Sequence, residues 1–299
     1  MIVTIGSINI DLTANVPRLP GPGETIQGTA FATAPGGKGA NQALAARRAG
    51  ADVIMVGAVG KDEFAAGALA LLKSGGVDLS RIKETDAPTG TAIIMVSADG
   101  ENVIAIIPGA NAGVTNDQYG DLPFGKGDLI LLQLEIGFDT VKAAIARARA
   151  YGATTVLNIA PFNIAGVAMM ADADITIANE TEFDQASIAM ALSGASLQEK
   201  MQDFVTRTGR TIIVTLGGDG VSAATAAGGF LQVPALKVIP VNTVGAGDTF
   251  CGYLGAGLHA GLGLPDALRL AAAAGSLACT KPGAQPAIPT LGDVQAALG

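Results

Sequence analysis

Short apolar runs alternating with amphipathic segments constrain this chain more than any other feature. Met1 to Ile5, Val53 to Val59, Leu129 to Leu134, Thr155 to Asn158, Ile175 to Ala178 and Ile212 to Leu216 read as strands. Between them, Ala40 to Ala49, Phe64 to Ser74, Asp139 to Tyr151, Glu180 to Ala191 and Leu197 to Arg207 carry apolar residues near three- and four-residue spacing, the period of a helix with one buried face. The alternation predicts βαβ units in an α/β fold with a Rossmann-like, mostly parallel central sheet flanked by helices. At 299 residues, the chain has room for two domains or for one large domain with an elaboration.

Two segments break the rhythm. Leu12 to Pro35 is extended and rich in Pro, Gly and Thr, whereas Thr91 to Pro108 reads as strand, an Ala98-Asp99-Gly100 turn, and strand. Both would project from the same edge of a sheet that begins with the first strand, either paired into a small β-sheet lid or as solvated loops. The expected organisation is an α/β domain of residues 1–11, 36–90 and 109–299, with residues 12–35 and 91–108 inserted as the lid.

Charge and cysteine usage narrow the surroundings. Although 49% of residues are hydrophobic, the long uncharged stretches Ala153 to Ala171 and Thr249 to Pro265 are interrupted by Asn158, Pro161 and Asn163, and by repeated Gly with His259. Neither reads as a bilayer span, so no membrane partner is expected. Met1 to Gly6 lacks a basic n-region and reads as a strand rather than a secretory signal. A formal net charge of -8 gives no cationic field for a phosphate backbone, so nucleic acid is not an expected partner. The two cysteines, Cys251 and Cys279, read as buried thiols of a reducing cytoplasm.

Ligands of an open parallel sheet bind beyond the carboxyl ends of its strands. In this chain those positions are polar: Asn9, Asp11, Glu135, Asn158, Asn179, Glu182, and Gly217-Gly218 after Thr215. Each alone is an ordinary turn or cap residue, and the signal lies in their recurrence on one rim. In Asn242-Thr243-Val244-Gly245-Ala246-Gly247-Asp248-Thr249-Phe250 a Gly-rich turn runs into a helix of small residues, Cys251 to Ala260. Amides at such a helix start make an anion site, and Asp248 would stand beside the anion as a proton acceptor or serve only as the helix N-cap. Spacing does not separate those two roles. A second cluster, Pro35-Gly36-Gly37-Lys38-Gly39-Ala40-Asn41-Gln42, allows close backbone approach and offers Lys38 and Asn41 as donors, which suits a polyol; a flexible hinge is the alternative.

Other chemistries lack their residues. Gly120 to Lys126 has P-loop spacing, but Gly127 supplies no hydroxyl for Mg²⁺ and a strand follows. No G-x-G-x-x-G turn follows the first strand, as a nicotinamide cofactor would need. The single His259, in an apolar helix, leaves little for a His-based relay or metal site.

With these residues assembled, the chain resembles the ribokinase family of carbohydrate kinases, from Gly6-Ser7-Ile8-Asn9-Ile10-Asp11 to Gly283-Ala284-Gln285-Pro286. Gly36 to Asn41 resembles the family's first signature and Asn242 to Phe250 its second; Asn179-Glu180-Thr181-Glu182 resembles its N-x-x-E element. The resemblance implies ATP-dependent phosphorylation of a sugar primary hydroxyl. D-ribose, giving D-ribose 5-phosphate, comes first because Gly6 to Asp11 and Gly36 to Gln42 are closer to ribokinases than to fructokinases or nucleoside kinases. It implies Asp248 as general base, with Gly245, Ala246 and Gly247 as the anion hole. Asn9, Asp11, Gly37, Lys38, Asn41 and Glu135 would grip the sugar. Asn179, Thr215, Gly217, Gly220 and Gly247 would meet ATP, and Glu182 would hold Mg²⁺ through water. A homodimer joined through the lid is implied as well.

One departure bears on cations. Asn242 stands where ribokinases usually have aspartate beside a K⁺ loop, here resembling Asn242, Val244, Ala278 and Gly283, so any K⁺ would rest on backbone carbonyls. The rivals are another kinase of the family, acting on fructose, a related sugar or a nucleoside, and a non-catalytic sugar or nucleotide sensor. Aromatic content of 4% argues against a shelf for a nucleoside base, and an intact Asp248 argues against a sensor.

Overall fold

The computed structural model describes residues 1–299. Its first part runs β1 (Ile2–Ile5), β2 (Asn9–Val16), β3 (Ala30–Gly36), α1 (Lys38–Arg48), β4 (Val53–Gly60), α2 (Glu63–Ser74), β5 (Asp78–Thr85), β6 (Gly90–Ser97) and β7 (Asn102–Ile107). The chain continues through β8 (Leu129–Leu132), α3 (Phe138–Tyr151), β9 (Thr154–Asn158), β10 (Ile175–Asn179), α4 (Glu180–Ala189), α5 (Leu197–Thr208), β11 (Thr211–Thr215), β12 (Val221–Ala224) and β13 (Phe230–Val233). It closes with α6 (Ala246–His259), α7 (Leu264–Ala278) and α8 (Leu291–Leu298). Nine strands form one sheet in the order β13-β12-β11-β10-β9-β8-β1-β4-β5, and four form a second in the order β3-β2-β6-β7. In the large sheet only the β11–β12 and β12–β13 pairs are antiparallel.

The apolar runs become strands buried on both faces, because successive side chains point to opposite sides of a strand. Ile2, Leu129 and Leu131 enter one core with residues of α1, α6 and α7, while Val3, Ile5, Ile130 and Leu132 enter the other with residues of α3, α4 and α5. β1 lies between β4 and β8, so the chain winds outward from it in both directions. That reversal opens the crevice above the strand ends where ligands of such sheets bind.

Helices α1 and α6 frame this crevice. A methyl group on Gly252 would sit 2.5 Å from Ala45 Cβ and 2.6 Å from the Gln42 carbonyl, so small residues are required where the two helices cross. That close seam sets their N-termini side by side at the rim.

The segments that broke the rhythm pair with each other. β2 and β3 form an antiparallel hairpin, β2 pairs parallel to β6, and β6 returns antiparallel through β7. Gly100 adopts φ +89° in the second turn, a conformation that favours glycine. The strands of this sheet take in Asn9–Asp11 at one end and Gly36 and Gly90 at the crossings to the large sheet. Phe31, Ile93, Val103, Ile104, Ile106 and Ile107 on this sheet are exposed. No helix is long and apolar enough to cross a membrane.

Candidate active site

Asp248 lies at the rim, in the first turn of α6. The helix α6 begins at Ala246 with Gly245 as its N-cap at φ +77°, so Asp248 lies within the first turn and does not cap it. Its buried carboxylate is spent on side chains of α1: Oδ2 accepts from Asn41 Nδ2 at 2.9 Å and Oδ1 from Gln42 Nε2 at 3.1 Å. The helix's unpaired N-terminal amides and positive dipole end open beside it. A Cβ on Gly247 would meet nothing within 4 Å, so a ligand can approach the backbone there.

The other Gly cluster starts α1. Gly37, its N-cap, has φ +90° and packs so closely that a Cβ would lie 2.7 Å from the Asn9 amide. Glu135 ties this helix start to the crossing from β1 to β2: its Oε2 accepts from the Lys38 amide at 3.0 Å and from the Ser7 hydroxyl at 2.5 Å. Lys38 is held above the usual lysine range. Burial pulls it down, but the charges of Asp248, Glu135 and Glu182 outweigh that pull. Asp11 lies over Gly36, where any Cβ would collide with its carboxylate. Its pKa is raised from 3.8 to about 6 by burial first, then by Glu135 and Asp248, with Lys38 opposing; no hydrogen bond from the chain offsets this. A half-buried carboxylate so unsupported is prepared for donors from outside the chain, such as hydroxyls.

On the far side, one open cleft of about 460 Å³ including its mouth is lined by Lys38, Asn179, Glu182, Thr215, Gly245, Gly247 and Asp248, together with Asn158 and Cys251. Asn179 and Glu182 form a capping box at the start of α4: Asn179 Oδ1 accepts from the Glu182 amide at 2.8 Å and Glu182 Oε2 from the Asn179 amide at 2.9 Å. Asn-x-x-Glu is thus a helix-start device whose second carboxylate oxygen and carboxamide nitrogen remain available to the cleft. Gly217 is exposed with open space around it. Gly220 has a structural reason to be glycine, since a Cβ would collide with the Val233 carbonyl on β13. Cys251 is buried beside Asp248, and burial pushes its thiol well above the usual range, so it stays a thiol.

The loop carrying Asn242 and Val244 packs against the end of α7. The Val241 and Asn242 amides donate to the Cys279 carbonyl at 2.7 and 3.1 Å, and Asn242 Oδ1 accepts from the Val244 amide at 2.7 Å. Gly245 meets Ala284 on the other side, where a Cβ would sit 2.8 Å from the alanine Cβ, so the segments containing Ala278 and Gly283 adjoin the turn that starts α6.

A family model for pfkB family carbohydrate kinases matches residues 1–291. The chain belongs to the pfkB family of carbohydrate kinases. Ribokinase of Lactococcus lactis is 39% identical over 302 residues, covering 99% of this chain and 96% of that protein. Among solved structures, Thermotoga maritima ribokinase matches with a TM-score of 0.91 at 29% identity, covering 99% of this chain and 98% of that one. Arabidopsis thaliana ribokinase complexed with ribose and ATP matches at 0.86 and 28% identity, with the same coverage of both chains.

Several polar residues of this carbohydrate kinase escaped the sequence reading. Asn111 is buried beside the crossing from β1 to β2, where its Oδ1 accepts from the Ile8 amide at 2.9 Å and its Nδ2 donates to Asn9 Oδ1 at 2.7 Å. It fixes which atoms Asn9 can present to a ligand. Gln133 follows β8 directly, two positions before Glu135, and donates from Nε2 to Gln42 Oε1 at 2.7 Å. The sequence reading ran this strand to Leu134 and so took Gln133 inside it; with β8 ending at Leu132, the strand-end rule that picked out Glu135 applies equally to Gln133.

Proposed function

We propose that this kinase transfers the γ-phosphoryl group of ATP to the primary hydroxyl of D-ribose, giving D-ribose 5-phosphate and ADP. The observation that carries the reading is Asp248, a buried carboxylate that does not cap its helix, aimed by two amides to the mouth of a cleft lined by helix-start glycines. Whole-length relatives that are ribokinases, among them the Arabidopsis protein in complex with ribose and ATP, support the substrate.

Phosphoryl transfer leaves the protein mainly positioning and electrostatic work. Sugar hydroxyls would donate to Asp11 and Glu135 and accept from Asn41 and Lys38. Asp248 would take the proton of the attacking hydroxyl as its oxygen joins the γ-phosphorus and the bond to ADP breaks. Amides of Gly245, Ala246 and Gly247, with the positive end of α6, would stabilise charge on the phosphoryl oxygens, and Lys38 adds a cation nearby. Asn179, Thr215, Gly217 and Gly220 would border the nucleotide.

A magnesium ion suits a site with one uncommitted carboxylate oxygen, because Mg²⁺ keeps several waters and shares the nucleotide's phosphates. Glu182 would hold it through water, and when bound it would neutralise phosphate charge. For K⁺, the side chain of Asn242 is committed to Val244, so backbone carbonyls near Asn242, Val244, Ala278 and Gly283 are the ligands left.

Residues 12–35 and 91–108 would act as a lid on the α/β domain, excluding water as a competing acceptor. The exposed apolar residues of the small sheet fit a second copy of the chain, giving a homodimer. Both cysteines are free, which fits a reducing cytoplasm.

ATP turnover against ribose, 2-deoxyribose, fructose and nucleosides tests the reading, with the product's phosphate position assigned by NMR. Ribose should show the highest kcat/KM. A preferred hexose or nucleoside would overturn the substrate, and no turnover would favour a sensor.

A further inference from the structure

The geometry points to Gln42 and Gln133 as positioning residues that set the direction in which Asp248 presents its carboxylate, an inference that rests on Asp248 acting as the base. Asn41 and Gln42 are consecutive on α1 and reach opposite oxygens of one carboxylate, Asn41 to Oδ2 and Gln42 to Oδ1. An ionised carboxylate only accepts hydrogen bonds, so Gln42 must turn its NH₂ toward Asp248 and its carbonyl away. The outward carbonyl meets Gln133, which must then present its own NH₂, at 2.7 Å. The chain Gln133 to Gln42 to Asp248 therefore has one polarity, set by the carboxylate, and Gln133 holds the Gln42 carbonyl turned away from Asp248.

The surroundings make that arrangement expensive unless it is used. Gln42 and Gln133 are 1% and 0% exposed, and Gln133 Oε1 is buried with no partner. Glycine at position 6 is required by the same side chain, because a Cβ there would collide with Gln133 Oε1. A buried amide left half satisfied costs stability. Aliphatic packing would avoid this cost. Side chains two steps removed from the reacting hydroxyl touch neither sugar nor nucleotide, so their effect should fall on kcat rather than on KM.

The test reverses the polarity of the chain. In Gln133→Glu, the introduced carboxyl donates to Gln42 while protonated and preserves the arrangement. Once ionised it only accepts, so Gln42 must turn over and present its carbonyl to Asp248. Burial should raise the pKa of the introduced group toward neutrality. The charged and titrating groups around Asp248, namely Asp11, Glu135, Lys38, Glu182 and Cys251, are the same in variant and wild type, so the ratio of their kcat values isolates the introduced group. That ratio should fall about tenfold between pH 6 and 9, with KM for ribose within about twofold. Gln133→Leu should lower kcat about tenfold at every pH, and the same substitution in an Asp248→Asn background should cost nothing further. Thermal unfolding midpoints check that both variants fold, and if the Leu variant does not, the Glu profile decides. A pH-independent ratio in Gln133→Glu, or a Gln133→Leu loss undiminished in the Asp248→Asn background, overturns the inference. Full activity of Asp248→Asn alone would instead overturn the base on which it rests.

Discussion

Replacing Asp11 with Asn should stabilise the ribose-free protein at neutral pH while weakening its hold on sugar. The carboxyl's pKa rises from 3.8 to about 6, first through burial and then through Glu135 and Asp248. A carboxyl with a raised folded-state pKa is protonated in both folded and unfolded chains below pH 3.8 and costs nothing there. Its cost grows as pH rises from 3.8 to about 6 and is complete above that. A gap of about 2.2 pH units corresponds to an upper limit of about 3 kcal/mol at 1.36 kcal/mol per unit. Asn keeps the shape and carries no charge, so urea unfolding of Asp11→Asn should show a gain of roughly 1–3 kcal/mol at pH 7.5 that shrinks toward zero near pH 4. Ribose titration by calorimetry should show binding about 10- to 100-fold weaker, the worth of a lost charge-assisted hydrogen bond. No gain at pH 7.5, or an equal gain at both pH values, would refute the electrostatic argument.

Glu182→Gln separates two roles of one residue, because glutamine can also complete a capping box. The unfolding temperature should stay within about 1–2 °C of wild type, while the Mg²⁺ concentration for half-maximal activity rises roughly tenfold; unchanged Mg²⁺ dependence would remove Glu182 from the metal. Ile104 is 51% exposed on the small sheet, and Ile104→Asp should convert a dimer to a monomer by analytical ultracentrifugation and raise KM for ribose. A monomeric wild type at micromolar concentration would contradict the dimer. Replacing potassium salts by choline should lower activity if the carbonyls around Asn242 bind K⁺, and equal rates would exclude it.

The strands of the large sheet's centre were legible because burial on both faces leaves apolar runs such as Leu129–Leu132, and Ile2–Ile5 with only Thr4 interrupting it. Its margins were not. β5 is polar with no fully buried residue, and β12 and β13 are four residues each, too short to show a period. α7 is so rich in alanine that its buried and exposed faces look alike in sequence, although the helix packs closely on α6. At the site, glycine signatures located the helix starts, yet whether Asp248 capped its helix could not be read from spacing. The answer depends on Gly245 taking the left-handed conformation where it packs against Ala284, a contact between segments far apart in sequence. Asn111 and the roles of Gln42 and Gln133 were missed for a related reason: an amide's role is set by its partner, and these partners are far apart in sequence.

Single-turnover phosphorylation of ribose by Asp248→Asn tests the central claim most directly. The rate of the chemical step should fall about 10²- to 10⁴-fold, the usual share of a general base, while ribose affinity changes far less. A rate within threefold of wild type would contradict the assignment of Asp248 as the base.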